Sequence, residues 1–266
     1  MRKLSKIIIT LGAVAVMGGT IAGCGSTGSG SGSETTTTTT ALTEAATTAS
    51  AETTTAGQET TSSAEQASVI DYMVLVNKEN ALSDNWEAEL SITKSKNSLG
   101  DDVETESAAY EAYLELKSDL EAEGVKVDLD SAFRSIEAQQ EIVDDFTKKY
   151  GEDYVKKYVA VPGYSEHHTG LALDLYLNIN GEDIIYNEDL VKYPEVWEKI
   201  HAKLADHCFI LRYLEGKESI TGYNYEPWHI RYIGDKTVAK EIMDKGITLE
   251  EYLNKLPQGD VTPPKE

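Results

Sequence analysis

The chain has 266 residues and a formal net charge of −22. A chain this acidic lacks the clustered Lys and Arg that binding to a phosphate backbone requires, so nucleic acid is excluded as a tightly bound partner. With only two cysteines, Cys24 and Cys208, we expect no disulfide within the folded domain.

Residues 1–23 combine three basic residues with an apolar run that glycines interrupt. The run is shorter than the ~20 apolar residues of a membrane-spanning helix, so residues 1–23 are predicted to be a lipoprotein signal peptide. Their end, Ile-Ala-Gly followed by Cys24, resembles the bacterial lipobox. On this interpretation Cys24 is lipidated and anchors the protein to the outer face of the cytoplasmic membrane, which the protein contacts through the lipid only. An ordinary signal peptide that ends near a cysteine is the alternative.

Residues 24–68 begin with Cys24 and consist mainly of Ser, Thr, Gly, Ala and Glu, without an aromatic residue. Such a segment has too little apolar surface to offset the entropy lost on ordering, so it is predicted to be a disordered tether. The folded domain is predicted over residues 69–256, and a flexible tail over 257–266. A domain of this size can bury enough apolar surface to fold without disulfides.

A helix and a strand are predicted early in the domain. Apolar residues within 107–123 recur at intervals of four, three and four, which is typical of a helix with one buried face, and Gly124 ends it. Residues 125–133 then alternate apolar and polar side chains as a strand does, and Arg134 follows at the end of this strand. The buried face of the helix is predicted to carry Ala109, Tyr113, Leu116 and Leu120.

Ser135 is positioned to cap a second helix, which is predicted to end at Gly151. Gln139 falls in the first turns of this helix and is expected to face the same site as Arg134. A further short helix is predicted over 152–159. The inward face of the helix that Ser135 opens is predicted to hold Ile136, Val143, Phe146 and Tyr150.

Strands and helices alternate in the rest of the domain without a regular β-α-β repeat, so the predicted fold class is α+β. We expect a single compact domain in which helices pack around a small, mostly antiparallel sheet, and in which this sheet carries the candidate site residues. The remaining predicted elements are strands at 171–178, 209–213 and 229–232 and helices that begin at Pro194, Asp235 and Thr248.

The strongest pattern lies around Asp174. Leucines alternate with other residues over 171–177, which predicts a strand with one buried face and places Asp174 on the other face. A histidine in the preceding turn, His167 or His168, can reach the side of Asp174 once Gly170 lets the chain bend. Spacing alone does not choose between the two histidines.

A second histidine follows the segment Glu226-Pro-Trp, and the short strand that begins at His229 places His229 and Arg231 on one face. Two histidines and the carboxylate of Asp174 would form a three-ligand site for one zinc ion. The fourth position would stay open, which is the catalytic rather than the structural arrangement.

These residues also resemble the VanY-type D-alanyl-D-alanine carboxypeptidases, zinc peptidases of the M15 class that trim peptidoglycan stem peptides. The similarity extends from about residue 73 to about residue 256. Two residues depart from the family pattern: Phe133 stands where Tyr is common, and Cys208 where Gly is usual. The residues that carry the resemblance are Ser165, His167, Gly170, Ala172 and Asp174 in the first motif and Glu226, Pro227, Trp228 and His229 in the second.

The resemblance assigns a role to each site residue. It selects His167 as the ligand and makes Glu226 the general base, and a surface carboxylate is the plain alternative for Glu226. Arg134 would bind a substrate carboxylate or an oxyanion, although a structural ion pair is also possible for an arginine in so acidic a chain. Gln139 and Ser165 match family positions that line the substrate pocket, and ordinary capping or turn chemistry is the alternative.

Two other histidines, His201 and His207, are predicted to be partly buried residues of the helix before the strand at 209–213 and not ligands. Trp228 and Tyr225 are candidates for an apolar wall of the pocket, although aromatic residues beside a strand more often belong to the core.

The function predicted from the resemblance is a zinc-dependent carboxypeptidase that removes the C-terminal D-alanine from peptidoglycan stem peptides and acts as a monomer. An L,D-carboxypeptidase acting on tetrapeptide stems is the nearest alternative, because the metal, base and arginine serve both cuts. A non-catalytic, zinc-containing module that binds the cell wall is an alternative from a different class. The presence of Glu226 disfavours it, because a module that does no chemistry needs no general base. An endopeptidase, a further alternative, needs a groove open at both ends. Arg134 and Gln139 favour a groove that is closed at one end.

Overall fold

The structure is a computed structural model that describes residues 70–257, apart from the side chains of Ala88 and Lys157. The predicted signal peptide, the lipidated Cys24, the tether and all of the predicted tail except Pro257 lie outside the described residues. In the part of the chain that is described, no helix combines the length and the apolar character needed to cross a bilayer.

Within residues 70–257, an antiparallel sheet has the strand order β3-β4-β7-β6, and β5 pairs with β4. A separate antiparallel hairpin is formed by β1 and β2. The expectation of a small antiparallel sheet within an α+β fold is therefore confirmed. The strands are β1 (Ile92–Lys96), β2 (Asp102–Glu106), β3 (Val127–Ser131), β4 (Ala172–Ile179), β5 (Glu182–Ile184), β6 (Phe209–Leu211) and β7 (His229–Tyr232).

Helices surround the sheet, and two short 3-10 helices, Glu166–Thr169 and Ala205–His207, precede β4 and β6. Thr248 and Glu251 form the capping box of the last helix, since each side chain accepts a hydrogen bond from the backbone N–H of the other residue. The α-helices are α1 (Trp86–Glu89), α2 (Ser107–Ala122), α3 (Ile136–Tyr150), α4 (Glu152–Tyr158), α5 (Asn187–Leu190), α6 (Pro194–Leu204), α7 (Glu218–Thr221), α8 (Lys236–Lys245) and α9 (Leu249–Tyr252).

The main core lies between the central sheet and the helices α2 and α6. The buried residues of α2 are the four that the sequence spacing predicts. The four alternating leucines of the β4 region are also buried, as predicted, but Ala172 and Tyr176 on the opposite face are buried too, so the strand does not have only one buried face. The helix that begins at Pro194 buries its predicted stripe as well, so burial of these apolar faces against one another holds the sheet and helices together. The buried stripe of α6 consists of Trp197, Ile200 and Leu204.

The predicted inward face of α3 is wrong. Ile136 is 41% exposed and Tyr150 is 40% exposed, whereas the buried residues of the helix are Gln139 and Ile142. Hydrogen bonds of the Gln139 amide turn this face inward, while Phe146 and Tyr150 contact rings of α4 instead of the core.

Other differences concern element lengths and one missed hairpin. The hairpin of β1 and β2 was not predicted, because its strands are polar and exposed ion pairs such as Lys94–Glu104 link them. The strand predicted over 125–133 is shorter, with an irregular register between Leu129 and Ser131. The strand predicted over 209–213 is also shorter. The last helix ends before Leu256, which is 53% exposed.

Cys208 is a free cysteine in the left-handed region, with a φ of 61°. This backbone conformation favours glycine, so it accounts for the glycine that the family pattern usually has at this position.

Gly170 joins the first 3-10 helix to β4 with a φ of 71°. A Cβ atom at this position would lie 3.2 Å from the Cβ atom and 3.3 Å from the backbone nitrogen of Glu106. The N–H of Glu106 donates a hydrogen bond of 3.1 Å to the carbonyl of Gly170, so the two segments cannot separate without losing this bond. Glycine is therefore required both for the bend and for the close approach.

We expect Gly170→Ala to lower the free energy of unfolding more than Gly181→Ala does. Gly181 also has a positive φ, of 90°, but nothing lies within 4 Å of a Cβ atom there. The backbone strain alone costs about 1 to 2 kcal/mol, and crowding against Glu106 should add about 1 kcal/mol or more at Gly170. Urea denaturation of both variants measures the difference, and equal losses would contradict the role of the close approach.

Candidate metal centre and catalytic cleft

Three potential metal ligands meet at the central sheet. Asp174 on β4 and His229 on β7 are directly opposite partners in the antiparallel pairing, which brings their side chains together on one face. His167 lies in the 3-10 helix that Gly170 joins to β4. Their ligand atoms all lie within 4.8 Å of one another. The structure thus brings together the two histidines and the carboxylate that the sequence motifs single out.

Each histidine faces one oxygen of Asp174. The Nε2 atom of His167 lies 3.2 Å from Oδ2 of Asp174, and the Nδ1 atom of His229 lies 3.0 Å from Oδ1. The two imidazole rings are nearly perpendicular, with centroids 5.1 Å apart. The carboxylate therefore lies between two ring nitrogens.

The other nitrogen of each ring is held by an acceptor. His167 donates from Nδ1 to the carbonyl of Ala132 at 2.7 Å, and His229 donates from Nε2 to Oε2 of Glu166 at 3.1 Å. These nitrogens must carry the hydrogen, because a carbonyl or carboxylate oxygen only accepts. In the neutral rings, the lone pairs are consequently at Nε2 of His167 and at Nδ1 of His229.

Each lone pair therefore faces a carboxylate oxygen of Asp174, which also has lone pairs and donates no hydrogen. A cation bound between these atoms would relieve the repulsion between them. Oδ1 of Asp174 is buried and accepts no hydrogen bond of good geometry, although His229 is close to it. Burial disfavours a charged imidazole, but Asp174 and Glu166 overcome this effect and raise the pKa of His229 to about 10. Two imidazole nitrogens and one carboxylate in a site that favours positive charge fit a divalent metal ion such as zinc.

Glu166 supports His229 from the side opposite Asp174, and no sequence motif pointed to this role. Its Oε1 atom accepts hydrogen bonds from Arg212 at 2.6 Å and from Arg231 at 2.8 Å, while Oε2 accepts from His229. Burial by itself would raise the pKa of Glu166, but the two arginines and the histidine hold it well below its usual value. An ionised carboxylate thus fixes the orientation of the imidazole.

The network continues to the last helix. Arg212 donates two hydrogen bonds, of 2.9 and 2.7 Å, to the carboxylate of Glu250, which also accepts from Asn77. Arg231 donates to the backbone carbonyls of Tyr72 and Val74. Only one sequence pattern pointed to this network: the alternation in the strand that begins at His229 places Arg231 on the same face as His229.

Glu226 lies beside the three potential ligands and does not join them. Its Oε2 atom is 3.8 Å from Nδ1 of His229, and its backbone N–H donates to the carbonyl of Tyr213 at 3.2 Å. Burial, reinforced by the charges of Asp174 and Glu166 and opposed by His229, raises the pKa of Glu226 to about 7. A carboxyl group that titrates near neutral pH is suited to accept a proton and return it.

Arg134 lines the same cleft, and its guanidinium group is held by two neighbours. It donates to Oε1 of Gln139 at 2.9 Å and to Oγ of Ser131 at 3.1 Å. Gln139 is fixed in turn, because its Nε2 atom donates to the carbonyl of Ala160 at 2.8 Å. Gln139 therefore positions the arginine, and the buried Ser165 also lines the cleft.

The cleft combines charged and apolar walls. Asp130, Arg134 and Glu226 contribute charges, and Trp228 contributes apolar surface. Tyr225 packs against the main core instead, so of the two aromatic residues only Trp228 belongs to the wall. Further apolar and aromatic side chains of the cleft are Ile142, Tyr158, Ile185, Leu190, Tyr213 and Tyr223.

The remaining histidines have other partners. His168 donates from Nδ1 to the carbonyl of Arg134 at 2.6 Å and accepts at Nε2 from the N–H of Gly163, so both of its nitrogens are engaged away from the ligands. His201 bonds the carbonyl of Pro227. His207 lies in the second 3-10 helix, not in α6, and contacts Asp119.

The model of the family described as "VanY: D-alanyl-D-alanine carboxypeptidase" matches residues 102–235. The protein YodJ of Bacillus subtilis (strain 168) is 42% identical over 135 residues, which are 50% of this chain and 48% of that protein. The chain thus spans about half the length of this curated relative.

Solved structures cover the domain more completely. A mutant of the vancomycin resistance D,D-pentapeptidase VanY, in complex with Zn(II), is 30% identical with a TM-score of 0.56, over 69% of this chain and 99% of that chain. The LdcB LD-carboxypeptidase is 36% identical with a TM-score of 0.60, over 69% of this chain and 86% of that chain. With the family model matching half of its residues, this chain belongs to the VanY family of D-alanyl-D-alanine carboxypeptidases.

Proposed function

We propose that the protein is a zinc-dependent D-alanyl-D-alanine carboxypeptidase that removes the terminal D-alanine from peptidoglycan stem peptides. The observation that carries the proposal is the convergence of His167, Asp174 and His229 beside an unligated Glu226, in a cleft that also contains Arg134. A module that only binds the wall would have no need for a partly buried glutamate beside the metal ligands whose pKa is raised to about 7.

His167, Asp174 and His229 would hold one zinc ion through Nε2, a carboxylate oxygen and Nδ1 respectively. Zinc bound by three protein ligands lowers the pKa of a coordinated water to about 7 and polarises a carbonyl group. The protein's own contribution is to fix both rings through Ala132 and Glu166, so that the ligand atoms need little reorganisation.

Glu226 is the general base in this proposal. Its carboxylate accepts a proton from the attacking water and then gives it to the amine that leaves when the peptide bond breaks. Burial raises the pKa of Glu226 above the usual value of a glutamate, which makes its carboxylate a stronger proton acceptor than an exposed glutamate would be.

Arg134 is proposed to bind the free C-terminal carboxylate of the substrate. A guanidinium group matches a carboxylate in a bidentate manner, and the contacts with Gln139 and Ser131 hold it at the cleft. This arrangement supports a carboxypeptidase over an endopeptidase, whose substrate has no free carboxylate at this position.

Cleavage of the tetrapeptide stem is the second candidate function. The similarity to the LdcB LD-carboxypeptidase, with 36% identity and a TM-score of 0.60, favours it. The metal ligands, the base and the arginine serve either cut, so products from synthetic pentapeptide and tetrapeptide stems distinguish the two activities.

We further propose that the protein is exported and anchored to the outer face of the cytoplasmic membrane through lipid on Cys24, and that it acts as a monomer. The support for the anchor is the basic and apolar segment 1–23 that ends in a lipobox-like sequence, followed by the polar segment 24–68. Such a tether would allow the domain to reach the wall from the membrane.

We expect purified protein to bind one zinc ion per chain and Asp174→Ala to lose it. Loss of a ligand should weaken zinc binding by more than the ~10–100-fold that loss of an outer hydrogen-bonding partner costs. His168→Gln is the matched control, because His168 is adjacent in sequence but is engaged elsewhere. Metal analysis after dialysis measures the content, and zinc retained by Asp174→Ala but lost from His168→Gln would refute the ligand assignment.

The Glu226→Gln variant is expected to keep its zinc and lose about 10²- to 10⁴-fold in kcat, the usual contribution of a general base. Glu198→Gln, at an exposed position of α6, should retain wild-type turnover. Release of D-alanine from a synthetic pentapeptide, measured alongside zinc content, gives both quantities. Wild-type turnover by Glu226→Gln would remove this residue from the mechanism.

For Arg134→Ala we expect kcat/KM on a free-acid pentapeptide to fall about 10- to 100-fold, the value of a charge-assisted hydrogen bond. The same peptide with an amidated C-terminus should be affected little, since it offers no carboxylate to the guanidinium group. Comparing kcat/KM on the two peptides is the measurement, and equal losses would place Arg134 outside carboxylate recognition.

A further inference from the structure

Two tyrosines line the cleft together with Glu226. Tyr223 lies three residues before Glu226 in sequence, and the carbonyl of Tyr213 accepts a hydrogen bond of 3.2 Å from the backbone N–H of Glu226. Glu226 and Arg134 have roles in the proposed reaction, but the two tyrosines have none. Each tyrosine carries a hydroxyl group that can donate a hydrogen bond.

Ring contacts connect both tyrosines to a metal ligand. The ring of Tyr213 packs against His229 with centroids 4.7 Å apart, and the ring of Tyr223 packs against Tyr213 at the same distance. The ammonium group of Lys78 lies 4.8 Å from the ring centroid of Tyr223. Lys78 is close to the backbone as well, since a Cβ atom at Gly222 would lie 3.0 Å from its Cδ atom. These contacts hold the ring of Tyr223 in place relative to His229.

The hydroxyl group of Tyr223 is the polar end of this stack of rings. Tyr213 is only 3% exposed, whereas Tyr223 is half-buried. Within residues 70–257, the hydrogen bonds of Tyr223 come from its backbone, and both involve the hydroxyl group of Thr221. Burial and the negative charge of Glu226 raise the pKa of Tyr223, so its hydroxyl group keeps the proton at neutral pH. Tyr223 therefore offers a hydrogen-bond donor that the described part of the protein does not use.

We propose that Tyr223 is a further catalytic residue, whose hydroxyl group donates a hydrogen bond to the carbonyl oxygen of the scissile peptide bond as that oxygen becomes negatively charged. This inference rests on the proposed function, because it assigns a role in the same reaction. The water oxygen bonds to the carbonyl carbon, its proton passes to Glu226, and the π electron pair moves to the carbonyl oxygen. When the C–N bond breaks, that electron pair re-forms the carbonyl group, and Glu226 gives the proton to the leaving nitrogen.

The position of Tyr223 and the assignments of the other donors favour this role. The charge of Glu226 acts on the hydroxyl group of Tyr223, so the two groups are close. Because Glu226 must reach the attacking water, a donor close to Glu226 is also close to the scissile carbonyl. Arg134 binds the substrate carboxylate in the proposed reaction, and the amide of Gln139 is engaged by Arg134 and Ala160. A fixed donor stabilises the charged oxygen more than the neutral carbonyl, which lowers the barrier.

The direct test compares Tyr223→Phe with Tyr225→Phe in the zinc-loaded protein. Each change removes one phenolic hydroxyl from the same segment, but Tyr225 packs against the main core and does not line the cleft. For the stem peptide that the wild-type protein hydrolyses, we expect Tyr223→Phe to lower kcat about 10- to 100-fold, the value of a hydrogen bond to a charged group, and to change KM less than about twofold. Tyr225→Phe should match wild type in both constants. Zinc content and circular dichroism confirm that the variants are loaded and folded.

A second measurement is the affinity for a phosphinate analogue of D-Ala-D-Ala, whose tetrahedral centre resembles the charged state of the reacting carbonyl. The affinity should fall about 10-fold or more in Tyr223→Phe and stay at the wild-type value in Tyr225→Phe. Wild-type kcat in Tyr223→Phe, or unchanged affinity for the analogue, would overturn the inference. A wild-type protein that hydrolyses neither pentapeptide nor tetrapeptide, but whose affinity for the analogue falls in Tyr223→Phe, would support this contact while refuting the proposed reaction.

Discussion

The buried carboxylate of Glu166 is the interaction on which the site depends. It lies between two arginines and a histidine, and all of these groups are nearly inaccessible to solvent. Removing one partner from such a buried network typically costs about 3–5 kcal/mol, because the remaining charges stay buried without compensation. The network is therefore a strict constraint on the positions of β6, β7 and the 3-10 helix, and it sets the orientation of His229.

This constraint lets short segments from distant parts of the chain build one reactive centre. The 3-10 helix supplies His167, β4 supplies Asp174 and the segment before β7 supplies Glu226. The two glutamates have different roles because their surroundings differ. Glu166 is ionised because arginines surround it, whereas Glu226 has a raised pKa because it is partly buried near other carboxylates. The same residue type thus orients a ring in one position and is suited to carry a proton in the other.

Much of the fold follows from local sequence patterns. The elements that local patterns fail to predict depend on contacts between distant residues. The alternation around Asp174 and the spacing along α2 are local signals, and the structure has both elements where they are expected. The buried partners of Glu166 leave no local signal, since Arg212 and Arg231 are 46 and 65 residues away in sequence. The apolar residues of α3 alone predict a different buried face, because they carry no information on the hydrogen bonds that hold Gln139 inward. Hydrophobic periodicity carries no information on long-range polar contacts. These contacts therefore account for the main features of the fold and the site that the sequence did not predict.

Anomalous diffraction at the zinc edge, from crystals of the zinc-loaded protein, would locate the metal ion. We expect one ion at about 2.0–2.2 Å from Nε2 of His167, Nδ1 of His229 and a carboxylate oxygen of Asp174. In that structure His229 should still donate from Nε2 to Glu166. An ion bound elsewhere, or coordinated by Nε2 of His229 with the contact to Glu166 broken, would show that these residues do not form the metal site described.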